Sequence, residues 1–381
     1  MNPIYLDNNA TTKPDPLVIK EVLNCLQNNW ANPSSPHSLG KEAKKAVENA
    51  RSQVASLLNC SPSEIIFTSG GTESDNTAIF SPFIDLEIRG EKGHLIISAV
   101  EHPAVFEAAM YLQQKGHKIS IIRVDKNGVL DLNQLYDELT EHTTLVSIMF
   151  ANNETGVVTP IKEVIKIVKE KGVLFHCDAV QAAGKLPIDL NQLDIDMLSI
   201  SGHKFHALKG IGALFVRSGI KINPLLIGGG QEQNRRSGTE NVPGIISLGV
   251  ACKLAKENMT EDSKHILNLK NQLEKAIKSI DIDCQINGYA TNRLPNTISV
   301  SFKHKEAQKI VSMFDKEGIM VGAGAACHGD HAEISHVLRA MGIKSDYAKG
   351  TIRFSLSKFN TEEEIEMVKK VLLKIKNIIS T

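Results

Sequence analysis

The sequence predicts an α/β protein in which helices cover both faces of a mainly parallel seven-stranded sheet, joined to a smaller α+β unit. Three observations lead there. Short apolar runs bounded by turn formers recur along the first two-thirds of the chain, with helical stretches between them. Several of those runs end in glycines, hydroxyls, amides or ionisable residues for which a core has no use. Past about residue 256 the character changes to charged, helically spaced sequence and a few further strands. The 381 residues suffice for two domains and a sizeable core. We place the larger at 14–255 and the smaller at 1–13 together with 256–381.

Bulk properties exclude several classes. Lys and Arg number 43, Asp and Glu 43, so no net charge draws the chain to nucleic acid or membrane. No apolar run approaches bilayer length. The N-terminus lacks a basic start and an apolar core segment, so a cytoplasmic protein is expected. The six cysteines lack CxxC pairing, which argues against a disulfide framework and a zinc knuckle.

In chain order, residues 3–12 read as a short strand entering a polar turn, and 32–37 as a loop of turn formers. Ala43, Val47, Ala50, Val54, Leu57 and Leu58 repeat at helical spacing, with Lys, Glu and Arg between them. Strands follow at 65–67, 94–100, 119–124, 145–150, 173–177, 197–200 and 213–216. The first runs into Ser69-Gly70-Gly71-Thr72-Glu73, a strand-to-helix turn whose free N–H groups suit a phosphate. Others end at Glu101-His102-Pro103, Asn152-Asn153-Glu154, Asp178 with Gln181, and Ser201 with His203 and Lys204. In open α/β sheets ligands collect at such ends. A lysine and an acid delivered there by neighbouring strands suit pyridoxal phosphate, which needs a Schiff-base lysine and a carboxylate for its ring nitrogen.

Residues 228–241 form a polar loop with Arg235 and Arg236 adjacent, read either as a solvated surface or as anion-binding. The smaller unit should contain a charged helix over 263–280, a strand over 297–302, a helix near 306–317, a glycine-rich loop over 322–333 and a strand over 351–356. A last helix opens on the capping box Thr361-x-x-Glu364.

With these motifs in view, the chain resembles the NifS-like cysteine desulfurases, pyridoxal-phosphate enzymes of the aspartate-aminotransferase fold (fold type I). The resemblance covers essentially the whole chain, from Asp7-Asn8-Asn9-Ala10-Thr11-Thr12 and Asn32-Pro33-Ser34-Ser35 to Ala326-Cys327, Val337-Leu338-Arg339 and Ile352-Arg353-Phe354-Ser355. It implies that Lys204 carries the cofactor and serves as base, that Asp178 pairs with the ring nitrogen, and that His102 stacks on the ring and shuttles a proton. It implies that Asn153 and Gln181 bind the phenolic oxygen, and that Gly71, Thr72, Ser201 and His203 hold the phosphate. Thr239 would reach the phosphate of the other subunit, implying a homodimer. Arg353, with Asn32 and Asn153, would bind the substrate carboxylate in a two-pronged geometry. Cys327 would take sulfur from L-cysteine as a persulfide, release L-alanine and hand the sulfur to an acceptor protein or scaffold.

Two departures from the family pattern stand out. The cysteine loop reads Cys327-His328-Gly329-Asp330-His331, which also resembles selenocysteine lyases and the desulfurases that serve DNA phosphorothioation. An imidazolium beside Cys327 would favour its thiolate. By residue type, Cys327, His328, Asp330, His331 and His336 could hold a metal, but a loop that must move is a poor rigid cage, and no metal is expected. The second departure is His206-Ala207-Leu208, where the family carries an aromatic residue, glycine and proline.

Overall fold

In the computed structural model the described residues are 3–324, 327–328, 331–332 and 334–379. Seven strands form the larger sheet: β2 (Ile65–Thr68), β3 (His94–Ser98), β4 (Lys118–Ile122), β5 (Thr143–Ser147), β6 (Leu174–Asp178), β7 (Met197–Ser201) and β8 (Gly212–Val216). They follow β1 (Ile4–Leu6) in the chain, which belongs elsewhere. The spatial order is β2-β8-β7-β6-β5-β3-β4. Only β8 runs antiparallel, to both β2 and β7. The chain thus delivers the carboxyl ends of β2, β3, β5, β6 and β7 to one edge.

Alternation along β2 shows why the sheet needs two covers. Ile65 and Phe67 join one apolar cluster and Ile66 the other. The first cluster is closed by the helices Ser38–Leu58 and Val242–Ser279, the second by Gly71–Ile88 and Pro103–Gln114. Arg51, one of the charged residues between those apolar positions, is buried beneath the loop 228–241.

The second sheet has the order β1-β11-β14-β10-β9, where β9 is Cys284–Ile286, β10 Thr297–Phe302, β11 Ile319–Ala323 and β14 Thr351–Ser355. Its first strand comes from the extreme N-terminal side: Ile4, Tyr5 and Leu6 pair in parallel with Ile319, Met320 and Val321. Two differences from the sequence reading are informative. The charged helix starts at Val242 rather than 263 and runs unbroken to Ser279, capped by Asn241 and opened by Pro243. Its early turns (Ile245, Leu248, Cys252) pack in the first core and its late turns (Leu269, Leu273, Ile277) in the second, so its apolar stripe changes partner partway. The expected loop 322–333 contains two-residue strands, β12 (Cys327–His328) and β13 (His331–Ala332), paired antiparallel. The side chains of this hairpin, and with them the reading of Cys327, His328, Asp330 and His331 as thiol or metal ligands, lie outside the described residues. No helix among the described residues is long and apolar enough to cross a membrane.

Candidate active site

A cavity of about 240 Å³ opens at the carboxyl edge of the larger sheet. Gly71, Thr72, His102, Asn153, Asp178, Gln181, Ser201, His203 and Lys204 all line it, joined by Asp75, Met149 and Val180. Segments far apart in sequence converge here because parallel strands share one C-terminal edge.

One end of the cavity is the start of the helix Gly71–Ile88. Gly70 has φ +156° and no side chain caps the first turn. Its N–H groups therefore remain for an anion, at the positive end of the helix dipole. A Cβ at Gly71 would stand 2.8 Å from Val180 Cγ2, so a side chain fits there only if Val180 shifts. Next to it, Glu73 accepts from Ser69 N at 2.8 Å and pairs with Arg236 at 2.9 Å. Arg236, on the loop 228–241, is thus committed to a carboxylate of this chain rather than to solvent.

Asp178 ends β6 and is 5% exposed. Burial raises its carboxyl pKa, offset by the charges of His102 and Lys204 and by Val180 N, which donates to Oδ1 at 2.9 Å. A buried carboxylate aimed into a cavity calls for a cationic N–H partner. His102 is the N-cap of the helix Pro103–Gln114: its Nδ1 accepts from Ala104 N at 3.1 Å, which leaves the hydrogen of the neutral ring on Nε2. Burial and the Lys204 and His336 charges lower its pKa, against the pull of Asp178.

Lys204 Nζ donates to the carbonyls of Asn9 and Ala10 at 2.8 and 2.9 Å. Burial, with Arg353 nearby, pushes its pKa down to about 8. Asn9 is a hub that motif reading named without giving it a role. Its carbonyl also accepts from Gln181 Nε2 at 3.0 Å, and its amide donates to Asn153 O at 3.0 Å and Thr297 Oγ1 at 2.8 Å. Thr11 and Thr12 hold His203, whose pKa burial lowers to about 4. The segment from Asp7 to Thr12 thus leaves the second sheet at β1 and ties both sheets to the cavity.

Among the residues whose side chains are described, three expected ones lie outside this lining. Arg353, on β14, donates to Asn153 O at 3.0 Å and pairs with Asp7 at 2.7 Å, with a buried Nε that has no partner among the described residues. Asn32 is exposed and its side chain accepts from Ser34 N at 2.9 Å within its own turn. Thr239 is exposed on the loop 228–241.

Asp75 and Met149 were not foreseen. A signal existed for the first: Asp75 stands four residues after Gly71, hence on the same face of their helix. Glu101 is fully buried behind Met149, accepts from its N–H at 2.9 Å and is pushed up to about 8 by burial. At the second departure, His206 adopts φ +76° and its ring meets Phe359 edge-on at 5.0 Å, so an imidazole stands where the family carries an aromatic ring.

The class-V aminotransferase model matches residues 4–368. The cysteine desulfurase of Nostoc sp. is 48% identical over 98% of this chain and 93% of its own length. The cysteine desulfurase NifS of Azotobacter vinelandii is 44% identical over 97% of this chain and 91% of its own. A solved NifS-like protein superposes with a TM-score of 0.91 at 41% identity, covering 99% of both chains. Sequence, fold and cavity agree, and the chain belongs to the class-V aminotransferases and, within them, to the NifS-like cysteine desulfurases.

Proposed function

We propose that this chain is a pyridoxal-phosphate-dependent cysteine desulfurase that converts L-cysteine to L-alanine and loads the sulfur on Cys327 for an acceptor protein. The observation that carries the reading is one cavity lined by Lys204, Asp178 and His102 and floored by an uncapped helix start at Gly71 and Thr72. These residues fit the cofactor. Gly71, Thr72, Ser201 and His203 would hold its phosphate, Asn153 and Gln181 its phenolic oxygen, Asp178 its ring nitrogen, and Lys204 its carbonyl carbon. When bound, pyridoxal phosphate would supply the electron sink that labilises bonds around the substrate Cα.

The remaining work falls to this chain. With its pKa near 8, Lys204 is partly neutral at physiological pH and can take and return a proton at the substrate Cα. His102 stays neutral with its hydrogen on Nε2, suited to pass a proton at the substrate sulfur. Arg353 would orient the carboxylate, helped by Asn153 and Asn32. Cys327 would carry the sulfur, and the five cysteines whose side chains are described are poor candidates for that role. Burial raises the pKa of Cys25, Cys60, Cys177, Cys252 and Cys284, to about 12 for Cys60. We further propose a cytoplasmic homodimer in which Thr239 completes the partner's phosphate site, and the two-unit division at 14–255 against 1–13 with 256–381.

The test is alanine and sulfide release from L-cysteine, with L-selenocysteine in parallel, for wild type and Cys327→Ala. Turnover of cysteine that Cys327→Ala abolishes supports the reading. Cleavage of selenocysteine alone would replace it with a lyase.

A further inference from the structure

A buried amide beside a cofactor oxygen has two orientations with opposite consequences. It presents either an N–H donor or a carbonyl acceptor. For Gln181, two neighbours decide. Its Nε2 donates to the Asn9 carbonyl at 3.0 Å, and its Oε1 accepts from Lys185 Nζ at 3.2 Å. A carbonyl only accepts, and the Lys185 nitrogen, charged or neutral, directs one hydrogen at Oε1 and another at the Gln181 backbone carbonyl. A reversed amide would set oxygen against oxygen on one side and two donors against each other on the other, each leaving a polar group unpaired in the interior. Lys185 is itself fixed, donating to the Gln181 backbone carbonyl at 3.0 Å. With its oxygen committed and one hydrogen on Asn9, Gln181 has one N–H left for the cavity it lines.

We propose that Lys185 is a positioning residue, which locks the Gln181 amide so that an N–H faces the cofactor's phenolic oxygen and favours its anionic form. The inference rests on the pyridoxal-phosphate reading above and adds a residue to it. The placement costs Lys185 its ordinary basicity: burial, then the Lys204 and Arg353 charges, press its pKa down to about 7. On its far side Lys185 meets a small cavity of about 40 Å³, whose other ionisable lining groups are Lys204, Asp15, His206, Asp262 and Lys358. None of these bonds Lys185, whose two side-chain hydrogen bonds both go to Gln181.

The test is the pH titration of the bound cofactor's absorbance in the holoenzyme, with cofactor dissociation and thermal unfolding measured on the same samples. Lys185→Met removes the donor, and the absorbance midpoint should rise by about one pH unit because the phenolic anion loses its oriented N–H. Cofactor dissociation should rise roughly tenfold, the loss of about one charge-assisted hydrogen bond. Lys185→Arg, which keeps a donor-only group, should return the midpoint most of the way, and Lys185→Gln, which can also accept, should fall between. Gln181→Leu should shift the midpoint in the same direction with Lys185 intact. If Gln181→Leu shifts it and Lys185→Met and Lys185→Gln do not, the lock is wrong while the cofactor reading stands. A fall in unfolding temperature with the midpoint unchanged also overturns the lock. If wild type shows no cofactor absorbance, the cofactor reading itself fails.

Discussion

Lys204 and Arg353 share one hydrogen-bonded network through Asn9 and Asn153, yet the proposed chemistry asks opposite things of them. Lys204 must lose its proton readily, and Arg353 must never lose its charge. Burial and the Arg353 cation lower the Lys204 pKa to about 8. Uptake of pyridoxal phosphate by the apoprotein requires the neutral amine. Its rate, followed by absorbance, should therefore rise with pH through a midpoint near 8 and level off above it. Arg353→Ala removes a repelling cation and should move that midpoint upward. Arg353→Lys is the sharper probe of substrate binding. A point charge cannot present two parallel donors, so KM for L-cysteine should rise roughly ten- to a hundredfold. An unchanged KM would assign Arg353 to the Asp7 pair alone.

At the scale of elements, the loop 228–241 shows how a surface arm is held against the start of the helix Gly71–Ile88. Glu232, Gln233 and Asn234 all adopt positive φ, at 48°, 59° and 64°. Non-glycine residues hold such a conformation only when their surroundings over-determine it. Here they do: the Glu232 carboxylate receives Arg51 at 2.7 Å on both oxygens and Phe67 N at 3.0 Å, and Arg236 pairs with Glu73. Arg51→Met leaves Glu232 buried without its cation and should cost about 3–5 kcal/mol of unfolding free energy in denaturant titrations. A change below 1 kcal/mol would mean that water reaches the carboxylate. Sequence could not show this pairing. Arg51 sits at a polar position of an amphipathic helix, and its partner is far along the chain. Local signals fared better. The Thr361 capping box forms in both directions, at 3.3 and 3.2 Å. The helix Pro16–Asn28 escaped the sequence reading although Asp15-Pro16 opens it with a capping carboxylate on Leu17 N at 2.9 Å.

Across the whole molecule, folding buries groups that would rather change protonation, and the signs can be worked out. His94, His176, His203 and His206 are lowered to between about 3 and about 4 by burial. Unfolding frees them to bind protons below about 6.5. Apoprotein stability should therefore fall as pH drops from about 6.5 toward 4. Glu101 is raised to about 8, and Asp75 and Asp178 are raised as well. For them the folded state holds the extra protons, so their contribution to stability should fall as pH rises from the carboxylate range toward 8, against the opposite contribution of the depressed Lys185 and Lys204. Glu101→Gln should flatten that alkaline limb in denaturant titrations at pH 6, 7 and 8, and an unchanged slope would show that Glu101 is ionised in the fold. The layout of the larger sheet and nine of its cavity residues were legible from strand ends and motifs, because parallel strands place their C-terminal residues together. What was not legible is long-range. The pairing of β1 with β11 and the use of Asn9 as a shared acceptor depend on the N-terminal segment crossing between the two sheets.

The most direct test of the account is a single turnover of the holoenzyme with L-cysteine in the absence of reductant, followed by peptide mass analysis. The account predicts one added sulfur atom on the peptide carrying Cys327, matched one for one by alanine, with Cys25, Cys60, Cys177, Cys252 and Cys284 unmodified. Alanine formed without sulfur on Cys327, or sulfur found instead on another cysteine, would contradict it.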